Sequence, residues 1–139
     1  MGKNLGGATQ VDFENRLKRL GKAAYLYKLV DAAEIKGRTG IAGRARAQPS
    51  DYLLTYKGRT VYAEVKGCEN TTSFPLSYLR DVQSAAARQI IAAGGEYLVF
   101  IKQLTTGLWF SVPHGVLHAL AGDNKSVKWE ALAPHIWNL

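Results

Sequence analysis

The sequence contains very little cysteine, since Cys68 is the only one in 139 residues. An internal disulfide is therefore excluded, and a reducing compartment is the expected environment. Long apolar runs are absent too, because no stretch approaches the roughly 20 apolar residues of a membrane span. Residues 1–8 lack the apolar run of a secretory signal. We therefore expect a soluble protein of the cytoplasm.

Acidic residues are scarce relative to basic ones. Eleven Asp and Glu face eighteen Lys and Arg, which gives a formal net charge of +7. A positive excess in a chain this small attracts polyanions, and nucleic acid is the favoured partner. The sequence also lacks the GxxxxGK[ST] pattern that cradles phosphates, so we expect no nucleotide cofactor.

Apolar spacing and turn residues predict a single α/β domain over 1–139. One helix is predicted from Thr9 to Leu20, after a flexible glycine-rich lead-in over 1–8. A second is predicted over 76–93, ending at Gly94-Gly95, with a core face of Leu79, Val82, Ala86 and Ile90. Strands are predicted over 25–30, 51–56, 59–66, 96–102 and 108–112, then a short helix over 113–121 and an edge strand over 126–132. This order is typical of a mixed sheet flanked by helices.

Two of the predicted strands bring acidic residues together. If Lys57 and Gly58 are the central residues of a two-residue hairpin, residues whose numbers sum to 115 face each other. Asp51 then lies opposite Glu64, with Cβ atoms roughly 5 Å apart. Like charges at that distance repel, and a shared divalent cation relieves the conflict, because hard oxygen ligands suit Mg²⁺. The pairing predicts a Mg²⁺ site here.

Lys66 extends this group. It lies two residues beyond Glu64, so its side chain emerges on the same face of the strand. There it is placed to hold or deprotonate an attacking water beside the metal. The side chain of Val65 points to the other face, which leaves its backbone carbonyl as a further metal ligand.

The same residues are also compatible with a surface ion-pair cluster, where exposed pairs contribute about 0–1 kcal/mol. However, the predicted face they occupy is too apolar to be fully solvated. It also carries Leu53, Thr55, Thr60 and Tyr62. Carboxylates at the end of a half-buried face favour a cleft, and therefore a functional site.

Two segments resemble a known family of nucleases. Pro49-Ser50-Asp51, twelve intervening residues and Glu64-Val65-Lys66 resemble the PD-(D/E)XK signature, with Ser50 inserted between Pro and Asp. The next segment, Thr72-Ser73-Phe74-Pro75-Leu76, leads into a helix that contains Gln83 and ends at Gly94-Gly95. This segment resembles RecU-like Holliday junction resolvases. The similarity covers roughly residues 48–112.

The resemblance implies a restriction-endonuclease-like core and an endonuclease that cuts four-way DNA junctions. Asp51 and Glu64 would bind Mg²⁺, with Mn²⁺ as a substitute, and Lys66 would assist the nucleophilic water. Glu14 matches the acidic residue that the superfamily often places on its first helix, where it completes the metal site. A plain helix ion pair with Lys18 explains Glu14 equally well.

Two symmetric incisions need two sites facing one junction, so a homodimer is the expected assembly. A restriction- or repair-type nuclease on the same scaffold is the alternative enzyme. A DNA-binding module without catalytic activity is the alternative that is not an enzyme, although the presence of Asp51, Glu64 and Lys66 together argues against it.

A basic, glycine-rich arm is predicted over 36–48. Arg38, Arg44 and Arg46 on this arm suit insertion between DNA strands, although a solvated loop explains them too. The arm is short compared with the protruding stalk of RecU proteins, which indicates a grip on the junction closer to that of archaeal resolvases. Gln83 is either a DNA contact or a buried, hydrogen-bonded amide.

The remaining candidates favour ordinary roles. His114 and His118 are four residues apart, but no third metal ligand accompanies them, so we expect surface histidines. Trp109, Trp129 and Trp137 are expected to be core or interface anchors.

Overall fold

A five-stranded sheet lies at the centre of the structure, a computed structural model that describes residues 2–30 and 48–139. Its strands run in the order β1 (Ala24–Lys28), β2 (Tyr52–Tyr56), β3 (Arg59–Cys68), β5 (Tyr97–Gln103) and β6 (Leu108–Pro113). A small second sheet pairs β4 (Ser73–Pro75) with β7 (Ser126–Lys128). The helices are α1 (Gly2–Lys18), α2 (Asp81–Ala92) and α3 (His114–Ala121), and 3-10 turns cover Gly21–Ala23, Leu76–Tyr78 and Trp129–His135.

The central sheet is mixed, as the sequence predicts. Strand β3 pairs in parallel with β5, whereas the other neighbouring strands are antiparallel. Parallel neighbours need a long crossover, and β4 and α2 lie within the segment that connects β3 to β5. The parallel register places Glu64 beside Val99 and Lys66 beside Ile101.

Each face of the sheet packs on its own apolar core. Helix α1 covers one face, where Phe13 and Leu17 pack among Tyr52, Leu54 and the odd-numbered residues of β3. Helices α2 and α3 and the small sheet cover the other face, chiefly over β5 and β6. Trp109 and Trp129 are buried, one in each core, and Trp137 is half-buried against the first. The tryptophans are therefore core residues, as predicted.

Polar contacts fix α1 on the sheet. Asp12 accepts a hydrogen bond from the Trp109 indole and pairs with Lys102 Nζ, both at 3.0 Å. Thr9 is buried directly over Gly67, and a Cβ atom added at Gly67 would collide with the Thr9 hydroxyl. Glycine at position 67 thus allows the helix to approach β3 closely.

Several predicted boundaries are wrong. Helix α1 begins at Gly2 rather than Thr9, so the glycine-rich lead-in is helical; Thr9 packs on β3 instead of capping the helix. The strand predicted over 126–132 ends at Lys128, and a 3-10 helix follows. No helix in the described ranges is long and apolar enough to span a membrane.

The core face predicted for the second helix is right for Leu79 and Ile90, which lie in the core or pack against it, and wrong for Val82. The chain is extended at Leu79 and Arg80, so the 3-10 turn before them and α2 after them do not share one helical register. The buried residues of α2 are Gln83, Ser84 and Ala87, and Val82 is 52% exposed. Apolar spacing counted from Leu79 therefore places Val82 on the inner face of α2 in error. The end at Gly94 is confirmed, since Gly94 adopts a φ of 93°.

Candidate active site

Asp51 and Glu64 face each other across the β2–β3 hairpin, as the sequence predicts. Lys57 and Gly58 both have positive φ, the geometry of a tight two-residue turn, and Tyr52 pairs with Ala63. The Asp51 amide donates to Glu64 Oε1 at 3.1 Å. The Val65 amide donates to Asp51 Oδ2 at 2.9 Å. Each carboxylate is thus fixed by the backbone of the opposite strand.

Lys66 joins the two acids on the same face of the sheet. Its Nζ lies 3.1 Å from Glu64 Oε2, and Glu64 is 1% exposed. The side chain of Val65 packs in the opposite core, under α1. The alternation predicted for residues 64–66 is therefore confirmed. A buried carboxylate paired with a partly exposed lysine is a different environment from a solvated surface cluster.

Burial and mutual repulsion disfavour the charged forms of the two acids. Burial, followed by the charge of Asp51, raises the pKa of Glu64 to about 7, although Lys66 opposes the shift. Burial also raises the pKa of Asp51. The Val65 amide and the charges of Lys66, Arg80 and Lys28 act in the other direction. Two facing carboxyl groups in this environment fit a hard divalent cation, which would balance their charge.

Glu14 contacts the site indirectly, through Tyr52. The Tyr52 hydroxyl donates to Glu14 Oε2 at 2.6 Å, and Tyr52 directly follows Asp51 in the chain. Burial, together with this hydrogen bond, raises the pKa of Tyr52. No ion pair between Glu14 and Lys18 occurs in the described part of the chain. Nor do any three metal-ligating side chains cluster there, so Glu14 does not join Asp51 and Glu64 in one ligand group.

A cleft of about 490 Å³ opens beside Glu14. Its lining includes Tyr52 together with Lys18 and Lys28, and α1 and β1 form its walls. Two lysines and one carboxylate give this cleft, which lies on the α1 side of the sheet, a net positive lining that suits a polyanion.

The other predicted DNA contacts are the three arginines of the arm and Gln83. Arg38, Arg44 and Arg46 lie outside the described residues. Gln83 is buried, and its Oε1 accepts a hydrogen bond from Arg80 Nε at 3.2 Å. Of the two alternatives for Gln83, the structure therefore has the buried, hydrogen-bonded amide.

Three residues near the acids were not found by the sequence analysis. Arg80 and Lys28 act on the charge of Asp51. The Tyr97 hydroxyl donates to the Pro49 carbonyl at 2.6 Å, which holds the segment that leads into Asp51. Tyr97 comes from β5, whose parallel register no local pattern reveals. No sequence signal distinguishes Arg80 or Lys28 from the other basic residues.

One histidine differs from expectation. His114 is only 3% exposed, and its Nε2 lies 3.4 Å from the Ser84 hydroxyl. Burial, and then the charges of His118 and Arg88, lower the pKa of His114 to about 4. The prediction of a surface residue is wrong for His114, because α2 packs over it, and right for His118, which is exposed.

A solved structure shares this architecture. Hjc from Archaeoglobus fulgidus, a Holliday junction resolvase from an archaeal hyperthermophile, aligns with a TM-score of 0.59. The alignment covers 93% of this chain and 92% of that chain, at 15% sequence identity. The fold is restriction-endonuclease-like. The fold class expected from the sequence is thus confirmed. Comparison with models of protein families and with curated protein sequences finds no match.

Proposed function

We propose that this chain is a Mg²⁺-dependent endonuclease that resolves four-way DNA junctions as a homodimer. The observation that carries the proposal is the facing pair Asp51 and Glu64 with Lys66 beside it, on a fold shared with a Holliday junction resolvase. The net charge of +7 supports a nucleic-acid substrate. Such an enzyme would act on DNA in the cytoplasm of a bacterial or phage-infected cell.

The metal would be held by Asp51, Glu64 and the Val65 carbonyl, with Mn²⁺ as a substitute for Mg²⁺. When bound, the cation supplies Lewis-acid charge to the scissile phosphodiester and makes a water easier to deprotonate. Asp51 keeps its position through the Val65 amide, and Glu64 through the Asp51 amide. The site is therefore organised before substrate arrives, which lowers the cost of reaching the reactive geometry.

Lys66 has the most direct role among the side chains. Its ammonium group lies 3.1 Å from Glu64 and is partly exposed, so it can also reach a water or a phosphate oxygen. From there it would orient the attacking water and neutralise the charge that develops on the phosphate. Glu14, held by Tyr52, would border the same end of the site.

Two further groups would bind DNA. Arg38, Arg44 and Arg46 would reach into the junction, and Arg80, oriented by the buried Gln83, would contact a phosphate near Asp51. A two-fold dimer would place two active sites on opposite arms of one junction, so that two symmetric cuts follow.

Cleavage of a labelled four-way junction, compared with a linear duplex of matched sequence, tests the proposal. We expect paired cuts in the junction with Mg²⁺, little cutting of the duplex, and none with a chelator or in Asp51→Asn. Sequence-specific cutting of the unbranched duplex would instead establish a restriction- or repair-type nuclease. Binding of both DNAs without any metal-dependent cutting would establish a silent DNA-binding module.

A further inference from the structure

In the part of the chain that the structure describes, the sheet face that carries Asp51 and Glu64 is covered over β3, β5 and β6 and open over β1 and β2. The apolar core on this face draws its buried strand residues from β3, β5 and β6 and its cover from α2 and α3. No residue of β1 or β2 belongs to that core in the described part of the chain. Two large aromatic side chains lie in the open part: Tyr25 is 65% exposed and Tyr27 is 53% exposed.

The strand register relates these tyrosines to the acids. Tyr27 pairs with Leu53, which pairs with Tyr62, so these three side chains form a row across β1, β2 and β3. The next row on the same face contains Asp51 and Glu64. Neighbouring rows on one face of a sheet are about 7 Å apart. Tyr25 lies one row farther from the acids, beside Thr55.

We propose that Tyr25 and Tyr27 form a stacking platform for unpaired bases of the DNA strand that runs to Asp51 and Glu64. This inference rests on the proposed nuclease function, and it specifies the form of substrate: DNA with unstacked bases next to the cut. Aromatic side chains on an open sheet face bind bases of any sequence, because every base has a π face.

The spacing of the rings favours an opened strand over intact duplex. Tyr25 and Tyr27 are two residues apart on one strand, so their Cα atoms are about 7 Å apart. Stacked bases in duplex DNA rise by about 3.4 Å per nucleotide. The two rings therefore cannot stack on consecutive bases of a duplex, whereas a branch point supplies bases that are free to separate.

The position of the platform argues against permanent cover by a second copy of the chain. Strand β1 is two strands from β3, about 10 Å. A subunit seated on Tyr25 and Tyr27 would therefore restrict the approach of DNA to Asp51 and Glu64. DNA held at the acids, in contrast, passes over or beside the tyrosines.

Binding of forked DNA tests the platform. The probe is a labelled duplex that ends in two unpaired thymidine arms, and the comparison is the same duplex without arms. All proteins carry Asp51→Asn, so that no DNA is cut, and all are measured at one salt concentration. Tyr25→Ala with Tyr27→Ala is expected to weaken binding of the fork by about tenfold or more. Binding of the duplex should change by less than about twofold.

Two matched controls separate stacking from other effects. Tyr25→Phe with Tyr27→Phe keeps both rings and is expected to keep fork binding. Leu108→Ala removes an apolar side chain that is 43% exposed on β6, at the opposite edge of the sheet from β1, and should change the binding of neither DNA. If the alanine variant lost affinity for fork and duplex equally, the platform would be wrong. The same holds if the phenylalanine variant bound the fork as weakly as the alanine variant does.

The remaining outcome concerns self-association. If the alanine variant sediments as a monomer where the wild type is a dimer, a second copy occupies this face and the platform is wrong. The nuclease proposal fails separately, when the protein with Asp51 intact cuts no junction in Mg²⁺. The binding comparison decides the platform in either case, because it does not depend on cleavage.

Discussion

Asp51 and Glu64 are each anchored by the other's strand: the Asp51 amide donates to Glu64 at 3.1 Å, and the Val65 amide donates to Asp51 at 2.9 Å. Two acids that repel each other are therefore held face to face by neutral donors. In the metal-free protein the repulsion between the two carboxylates destabilises the folded state. The pair can therefore be tested by measuring both the cleavage rate and the free energy of unfolding.

Replacing either acid by its amide is expected to abolish cleavage and keep the fold. The substituted side chain still offers a carbonyl oxygen to the backbone donor, but a neutral amide is a poor ligand for Mg²⁺. We expect Asp51→Asn and Glu64→Gln to lower the cleavage rate by on the order of 10²-fold or more. At about pH 4.5, where the Glu64 carboxyl is protonated in the folded state, the free energy of unfolding should change by no more than about 1 kcal/mol.

Glu96→Gln is the matched control for this pair. Glu96 is a carboxylate paired with Arg59, with both side chains largely exposed. Its replacement should leave cleavage unchanged. Near wild-type cutting by Glu64→Gln in Mg²⁺ would show that the metal site has been assigned to the wrong residues.

The stability of the metal-free protein should depend on pH through Glu64. Its pKa in the folded state is about 7, above the ordinary value of 4.5. The folded state therefore binds the proton more tightly, so this contribution is full below about pH 4.5 and is lost as the pH rises through about 7. Wild type should lose on the order of 3 kcal/mol over that range relative to Glu64→Gln.

Denaturant unfolding at several pH values, with a chelator present, measures this difference. Addition of Mg²⁺ at pH 8 should restore stability to the wild type, because a ligand that binds only the folded state stabilises it. Mg²⁺ should add little stability to Glu64→Gln. Parallel stability curves for the two proteins across this range would contradict the raised pKa.

Removal of Lys66 should separate chemistry from metal binding. Lys66→Ala takes away the ammonium group beside Glu64 but leaves the two acids in place. We expect cleavage to fall by about 10²-fold or more while titration calorimetry still detects Mn²⁺ binding. Lys128→Ala, which removes an exposed lysine of β7, is the control for net charge. Loss of Mn²⁺ binding in Lys66→Ala would mean that Lys66 mainly maintains the site.

Glu14 and Tyr52 form a second testable pair. If Glu14 serves the site, Glu14→Gln should lower cleavage by about tenfold or more, and Tyr52→Phe should lower it less, since it only frees the carboxylate. Loss of the buried hydroxyl should cost about 1 kcal/mol of stability. Normal cleavage rates in Glu14→Gln, measured at saturating Mg²⁺, would assign Glu14 to the helix surface.

Replacement of Arg38, Arg44 and Arg46 by alanine tests the basic arm. Each lost phosphate contact should lower the log–log salt dependence of duplex binding by about 0.9. If the arm reaches into the junction centre, the ratio of junction to duplex affinity should also fall at a fixed salt concentration. A constant ratio with uniformly weaker binding would make the arm a general electrostatic contact.

The sequence predicts the acidic pair because the β2–β3 hairpin is local. Lys57-Gly58 defines the turn, the turn defines the register, and the register places Asp51 opposite Glu64. Alternation along β3 then places Lys66. These steps use only residues close together in the sequence, and for that reason the structure confirms the placement they predict.

Predictions that depend on contacts between residues far apart in the sequence were less accurate. The inner face of α2 depends on a break at Leu79 and Arg80, and its buried side chains include Gln83 and Ser84, which are satisfied by Arg80 and His114. The link from Tyr52 to Glu14 joins residues 38 positions apart. Partners so distant along the chain are decided by packing, and a pattern of apolar spacing carries no information about them.

The close approach of Thr9 to Gly67 has a consequence for how mutations would act. Gly67 directly follows Lys66, and α1, which carries Glu14, rests on it without room for a methyl group. A substitution as mild as Gly67→Ala would therefore act as a wedge that lifts the helix from the strand. Such a change would lower cleavage although Asp51, Glu64 and Lys66 were all unchanged, so a comparison of catalytic residues alone would not detect it.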